Sequence, residues 1–259
     1  MTVRRLAKAA APQRNRVSAA ERETRVNLAA CYRIAAHFRM TDLIYTHISA
    51  RVPGPDPHFL INAYGLLFEE ITASSLVKVT QGGEIVADET GLGINPAGYV
   101  IHSAIHGARD DVGCVMHTHT GAGLAVAAQK AGLLPLTQHA MRFSGCLSYH
   151  DYEGIALDLD EQQRLIRDLG RNSAMILRNH GLLTCGATVP AAFDLMYYLE
   201  RACQAQVGAM AGGAELVIPP EAVTHKVARQ FVRPGRTAPE NAWAALLRML
   251  DRTDPSYRE

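Results

Sequence analysis

No apolar run in this 259-residue sequence approaches the roughly 18 to 20 residues that a membrane-crossing helix needs, so no membrane partner is expected. An excess of charge of either sign is missing too. Lys and Arg number 26 against 25 Asp and Glu, a net charge of +1. No electrostatic argument then points to nucleic acid. The five cysteines, Cys31, Cys114, Cys146, Cys185 and Cys203, are scattered and form no C-x-x-C. That pattern excludes a disulfide framework and a cysteine metal cage. It reads as free thiols in a reducing compartment, the cytoplasm. Repeats and low-complexity tracts are absent. Several catalytic signatures are absent as well. Ser103, not glutamate, follows His102, so the H-E-x-x-H protease pattern fails. Ser144 and Ser148 lack a G-x-S-x-G context. Gly121-Ala122-Gly123 has Val126 where a dinucleotide loop needs its third glycine, and no acid follows at the right distance.

What remains is a chain of ordinary globular composition, 48% apolar and 20% charged, long enough for a sizeable core. Residues 1–17 carry Arg4, Arg5, Lys8, Arg14 and Arg16 and no acid, and read as a basic flexible arm. Ser18-Ala19-Ala20-Glu21 predicts a capping box opening a helix to about Arg39. Strands are expected over Leu43 to Val52, His58 to Asn62, Leu76 to Val79 and Glu84 to Val86. Asn95-Pro96 starts a helix running to about Arg109. A strand from Val112 to His119 and a small-residue helix from Gly121 to Ala131 follow. Then come a short strand Gly145 to His150, a helix Glu161 to Leu169, and strands Ala174 to Leu177 and Leu182 to Cys185. Helices Val189 to Met210, from Pro220 to about Val232, and Pro239 to Asp251 complete the chain. Short turns between strands require much antiparallel pairing, so the fold class is α/β: a three-layer α/β/α sandwich around a mainly antiparallel central sheet. The main domain is expected over 18–213, with 214–259 a helical extension packed on it or on a neighbouring subunit.

The residues that carry chemistry are histidines. In Met116-His117-Thr118-His119 the two rings are two apart on a strand and share a face, a spacing that suits one divalent metal. His180, in the tight turn Asn179-His180-Gly181, could complete a three-nitrogen site. His102 and His106 are four apart on the Pro96 helix. His102 reads as a support for a ligand or substrate, His106 as a surface residue. Tyr149-His150-Asp151-Tyr152-Glu153-Gly154 is dense in hydrogen-bonding groups and reads equally as an acid/base cluster or a polar surface loop.

Four segments together resemble the class II aldolase/adducin family, over about residues 21–210: Thr46-His47-Ile48-Ser49-Ala50-Arg51, Gly98-Tyr99-Val100-Ile101-His102-Ser103-Ala104-Ile105-His106, the H-x-H strand, and Leu177-Arg178-Asn179-His180-Gly181-Leu182. Tyr149 to Gly154 looks like the adducin head and its bacterial relatives, and the ending Leu247-Arg248-Met249-Leu250-Asp251-Arg252 with Asp254-Pro255-Ser256-Tyr257 looks similar to those bacterial relatives. The resemblance implies an α/β/α sandwich and a metal held by His117, His119 and His180. Zinc is the first expectation, with Fe(II), Mn, Co or Ni as others. It also implies a small-molecule substrate and a homo-oligomer, favouring a tetramer.

The departures from the family pattern shape the functional expectation. Sugar-phosphate aldolases of this family carry a catalytic glutamate at the position that is Gly98 here. Their phosphate cradle corresponds to His47, Tyr64-Gly65 and Pro96-Ala97, and most of it is missing. The expected function is a divalent-metal-dependent lyase, by aldol cleavage or decarboxylation, on a small non-phosphorylated oxo- or hydroxy-acid. Loss of CO2 needs no base to begin. Proton donors would come from His139, Tyr99, Tyr149 or His47, with His139 standing by spacing near a tyrosine donor of aldolase relatives. His47, Gly65, Gly98 and His102 would line the substrate. Glu89 could replace the lost carboxylate only if its loop folds inward. Alternatives are a non-haem Fe(II) oxygenase of 2-oxo acids and a non-catalytic adducin-like scaffold. Adducin heads serve the membrane skeleton and rely on a basic tail; the sequence ends at Glu259 without one, so an actin-type role is not expected.

Overall fold

The computed structural model describes residues 17–154, 159–232 and 238–259. The basic arm therefore lies, apart from Val17, outside the described residues. Helix α1 (Ala19–His37) is followed by strands β1 (His47–Arg51), β2 (His58–Ile61), β3 (Val77–Thr80) and β4 (Ile85–Ala87). Next come α2 (Pro96–Ala108), β5 (Cys114–Thr118), α3 (Gly121–Ala127), α4 (Gln138–Met141), β6 (Leu147–His150) and α5 (Leu159–Leu169). The remainder is β7 (Ala174–Leu177), β8 (Gly181–Gly186), α6 (Val189–Met210), α7 (Glu221–Phe231) and α8 (Ala238–Thr253).

Among the described residues the strands form one sheet in the order β4-β3-β2-β1-β5-β8-β7-β6. Every neighbouring pair is antiparallel except β6 with β7. Strand side chains alternate between faces, and the core divides accordingly. Ile48, Ala50, Met116, Ile176 and Leu182 pack against Leu28 and Tyr32 of α1 and Met196 and Leu199 of α6. Their neighbours Val115, Met175, Leu177 and Leu183 pack the other way, on Ile101 and Ile105 of α2 and Leu165 and Leu169 of α5. The result is the expected three-layer α/β/α sandwich. Trp243 and Leu250 of α8 join the α1/α6 face, and the Trp243 indole donates to Asn27 at 3.0 Å. No helix among the described residues is long and apolar enough to cross a membrane.

Several local expectations needed correction. The segment expected as a strand from Leu43 is a turn until His47, because Leu43 (φ 49°) and Thr46 (φ 68°) are left-handed. Only half of the capping box forms. The Ser18 hydroxyl accepts from the Glu21 N–H at 3.1 Å, but the Glu21 carboxylate turns to Arg25 and Lys78 instead. Helix α3 stops at Ala127, short of Ala131. His106, expected at the surface, is buried, whereas Ala108 is exposed. The face of α2 that meets β1 carries histidines as well as aliphatics, which an apolar-periodicity argument does not pick out.

Candidate metal centre

Strand β1 pairs antiparallel with β5 so that His47 stands opposite His117. Their rings stack at 6.0 Å. His119 lies just past the end of β5, yet its ring still reaches His117, with the two Nε2 atoms 2.9 Å apart. The turn between β7 and β8 brings His180 in. Asn179 takes φ 56°, and Gly181 takes φ 151°. A Cβ at Gly181 would stand 2.4 Å from the Thr118 carbonyl oxygen and 3.1 Å from the His119 ring, so glycine is required for the turn to close on the H-x-H segment. The His180 ring centroid then lies 4.8 Å from that of His117 and 5.0 Å from that of His119. One nitrogen of each of the three rings falls within 4.8 Å of the others.

Hydrogen bonding determines which nitrogens are available. His117 Nδ1 lies 2.9 Å from the Leu182 carbonyl oxygen, which can only accept, so Nδ1 carries the proton and Nε2 is bare. His119 Nδ1 lies 2.9 Å from the Asp42 carboxylate, which takes the Nδ1–H and turns Nε2 toward His117. The two Nε2 atoms approach to 2.9 Å. With both rings neutral two lone pairs face each other there, an arrangement that a shared proton or a bound metal ion relieves. Burial, followed by the neighbouring histidines, holds His117 well below the usual imidazole range. Burial first, then His119 and His150, lowers His180 to about 4. Imidazoles whose Nδ1–H is held by an oxygen, as at His117 and His119, are the ligands a divalent ion of the zinc class takes, and with His180 the residues present fit such an ion. None of the five cysteines takes part.

Next to the triad stands His47, 5% exposed. Its ring lies flat over the start of α2: a Cβ at Gly98 would meet His47 Cδ2 at 2.5 Å and Nε2 at 2.6 Å. The Asn95 amide oxygen accepts from the Ala97 N–H at 3.1 Å, so its Nδ2 faces His47 Nε2 as the donor, at 3.3 Å. His47 is thus an acceptor at Nε2 and carries its proton on Nδ1. Burial, aided by His119 and His180, lowers its pKa to about 3. Behind it the Ser49 hydroxyl lies 2.6 Å from His102 Nδ1 and 2.8 Å from His106 Nε2. One hydroxyl proton cannot serve both rings, so one histidine must donate to Ser49. The His102 ring stands edge-on to that of His47, with centroids 5.5 Å apart.

Other candidates fall elsewhere. His139 is on α4, its ring 4.8 Å from that of Tyr198 on α6. The Tyr99 hydroxyl donates to the Gln81 carbonyl at 2.8 Å. The Tyr149 hydroxyl accepts from the Leu133 N–H at 3.0 Å, and its ring lies under Arg178. Gly65 makes a turn at φ 108° after β2. Glu89 lies in the loop between β4 and α2. Asp42, Asn95 and Ser49 were missed as site residues. No motif marks Asp42, whereas Ser49 is two residues from His47 on the same strand face and was within reach of that alternation.

Residues 26–207 match the family described as Class II Aldolase and Adducin N-terminal domain. A protein of Pseudomonas aeruginosa named for the class 2 aldolases is 52% identical over 94% of this chain and 95% of its own length. Alpha-adducin of Rattus norvegicus is 42% identical over 92% of this chain, a match spanning 35% of the adducin. Among solved structures, an aldolase II superfamily protein from Pseudomonas syringae is similar with a TM-score of 0.91 and 58% identity, covering 95% of this chain and 99% of that one. L-fuculose 1-phosphate aldolase from Glaciozyma antarctica PI12 is similar with a TM-score of 0.82 and 26% identity, covering 96% and 97%. A match over that much of the sequence means that the chain belongs to the class II aldolase and adducin N-terminal domain family.

Proposed function

We propose that the protein is a divalent-metal-dependent lyase that makes or breaks a C–C bond in a small, non-phosphorylated oxo- or hydroxy-acid, by aldol cleavage or decarboxylation. The observation that carries this reading is the convergence of one nitrogen each from His117, His119 and His180 within 4.8 Å of one another, with the Nδ1–H groups of His117 and His119 turned to oxygens. With His180 they would hold the ion, zinc first, with Fe(II), Mn, Co or Ni as alternatives. Such an ion supplies a Lewis acid that polarises a carbonyl and stabilises negative charge on its oxygen. The protein's own groups do the rest. The Leu182 carbonyl and Asp42 fix the two rings in the metal-binding tautomer. His47 walls the site above Gly98, with its Nε2 turned to Asn95. A neutral imidazole so engaged is poorly placed to lift a proton from carbon, which favours a substrate whose reaction begins without a base, as loss of CO2 does. The Tyr64-Gly65 and Pro96-Ala97 departures from a phosphate cradle support a substrate without phosphate. A homo-oligomer, with a tetramer first, completes the proposal; light scattering on the eluted protein reads it.

Elemental analysis of the full chain, purified without a histidine tag, tests the metal. About one zinc-class ion per chain is expected, and none in His117→Ala. Asp42→Ala should weaken zinc binding by about 10- to 100-fold, read by calorimetric titration. A wild-type protein that takes up no divalent ion after dialysis against zinc would sink the proposal in favour of a binding protein without turnover. Iron in the purified protein, with oxygen uptake on 2-oxo acids, would move the assignment to the oxygenase.

A further inference from the structure

We propose that Tyr152 is the substrate-contacting residue of this centre, its phenol O–H donating a hydrogen bond to an oxygen of the small acid held beside His180; the inference rests on the metal-site reading above. The Tyr152 ring meets the His180 ring edge-on, with centroids 6.3 Å apart. The residue is 53% exposed, so it is open to a solute. Of the tyrosines expected as proton donors, Tyr99 spends its hydroxyl proton on the Gln81 carbonyl, and the Tyr149 hydroxyl stands at Gly132 and Leu133, where it accepts from the Leu133 N–H. No hydrogen bond occupies the Tyr152 hydroxyl among the described residues.

The loop that carries Tyr152 is held on both sides. The Glu153 carboxylate receives Arg164 Nε at 2.8 and 2.9 Å. Asp151 faces Arg178 Nε at 3.7 Å. The backbone of Arg178, two residues ahead of His180, donates to the His150 carbonyl oxygen at 2.8 Å. The loop and the His180 turn are therefore tied at His150 and Asp151, and Tyr152 keeps its place over the ligand histidine. The chemistry of the contact follows from the group. A phenol is a neutral donor on a rigid ring and suits one carboxylate or carbonyl oxygen. Arg178 and Arg164, the cations beside it, are turned to Asp151 and Glu153. That favours a compact acid over a phosphate ester at this end of the site.

The test uses the full chain loaded with Co(II), whose visible absorption reports the ligand sphere, and oxalate as the probe because it is a small acid with two adjacent oxygens. Tyr152→Phe keeps the ring and removes only the hydroxyl. The variant should bind Co(II) as tightly as wild type, with the same starting spectrum, and bind oxalate about tenfold more weakly. Glu153→Gln, which loosens the loop and leaves the phenol intact, should weaken oxalate in the same direction by a smaller factor. If Tyr152→Phe binds oxalate as wild type does while both hold Co(II), the Tyr152 assignment is wrong and the metal reading stands. If wild type takes no Co(II), the metal reading itself fails, and this inference with it.

Discussion

At the scale of single residues, the two glycines of the site do different work. Gly181 lets β8 start where a side chain could not, since a Cβ there would stand 2.4 Å from the Thr118 carbonyl oxygen. Gly98 makes room for a ring. Its missing Cβ would stand 2.5 to 2.7 Å from three atoms of His47, so His47 and Gly98 are one unit in space although 51 positions apart in sequence. Gly98→Ala should therefore destabilise the protein by about 1–3 kcal/mol, the usual cost of overpacking. The paired change His47→Ala with Gly98→Ala should recover part of that loss, giving a double-mutant coupling of about 0.5–3 kcal/mol by urea unfolding. Strict additivity would show that the two do not share the space. The family resemblance sets Gly98 against a glutamate by spacing alone. That His47 fills the space was not legible there, because the contact depends on how β1 lies under α2.

Between elements, the histidine face of α2 and the clamp on α1 show how a local pattern is redirected by packing. His102 and His106, one helical turn apart, both reach Ser49 because β1 crosses beneath that turn. Glu21 is a capping-box residue by sequence, but it holds α1 to β3 through Lys78 at 2.8 Å and Arg25 at 3.0 Å. Arg25 in turn donates to the carbonyls of Ala73 and Leu76. Burial pushes the Glu21 carboxyl up, but Lys78 and Arg25 outweigh it and the net shift is below the ordinary 4.5. A lowered carboxylate pKa contributes stability above the unfolded-state value and loses it as pH falls through the folded-state value. Glu21→Gln should accordingly cost about 3 kcal/mol near neutral pH, by leaving Lys78 and Arg25 without their anion. The gap to wild type in chemical unfolding should close as pH falls below 4.5. A gap that stays constant down to pH 3 would remove Glu21 from the account.

Across the whole molecule, the sheet separates two tasks. The α1/α6/α8 face holds the larger core, and His117 points to the other side with Val115, toward α2. Leu250→Ala should lower stability by about 2–5 kcal/mol while leaving zinc stoichiometry unchanged, since α8 packs on the face away from the triad. Loss of both together would show that the two faces are coupled. The sequence by itself determined the period-2 and helical patterns, hence the elements, the three layers and the family. It also determined the H-x-H spacing and the absence of a glutamate at position 98, because these are properties of neighbouring residues or of motifs in fixed order. Only the tertiary structure decided that Asp42 and the Leu182 carbonyl orient the rings of His119 and His117, that His47 occupies the space over Gly98, and that the Tyr152 ring stands beside that of His180. Those facts depend on register, on turn conformations such as Asn179 and Gly181, and on which hydrogen bonds are already made. Such contacts join residues far apart in the chain, and their geometry leaves no periodic trace in it.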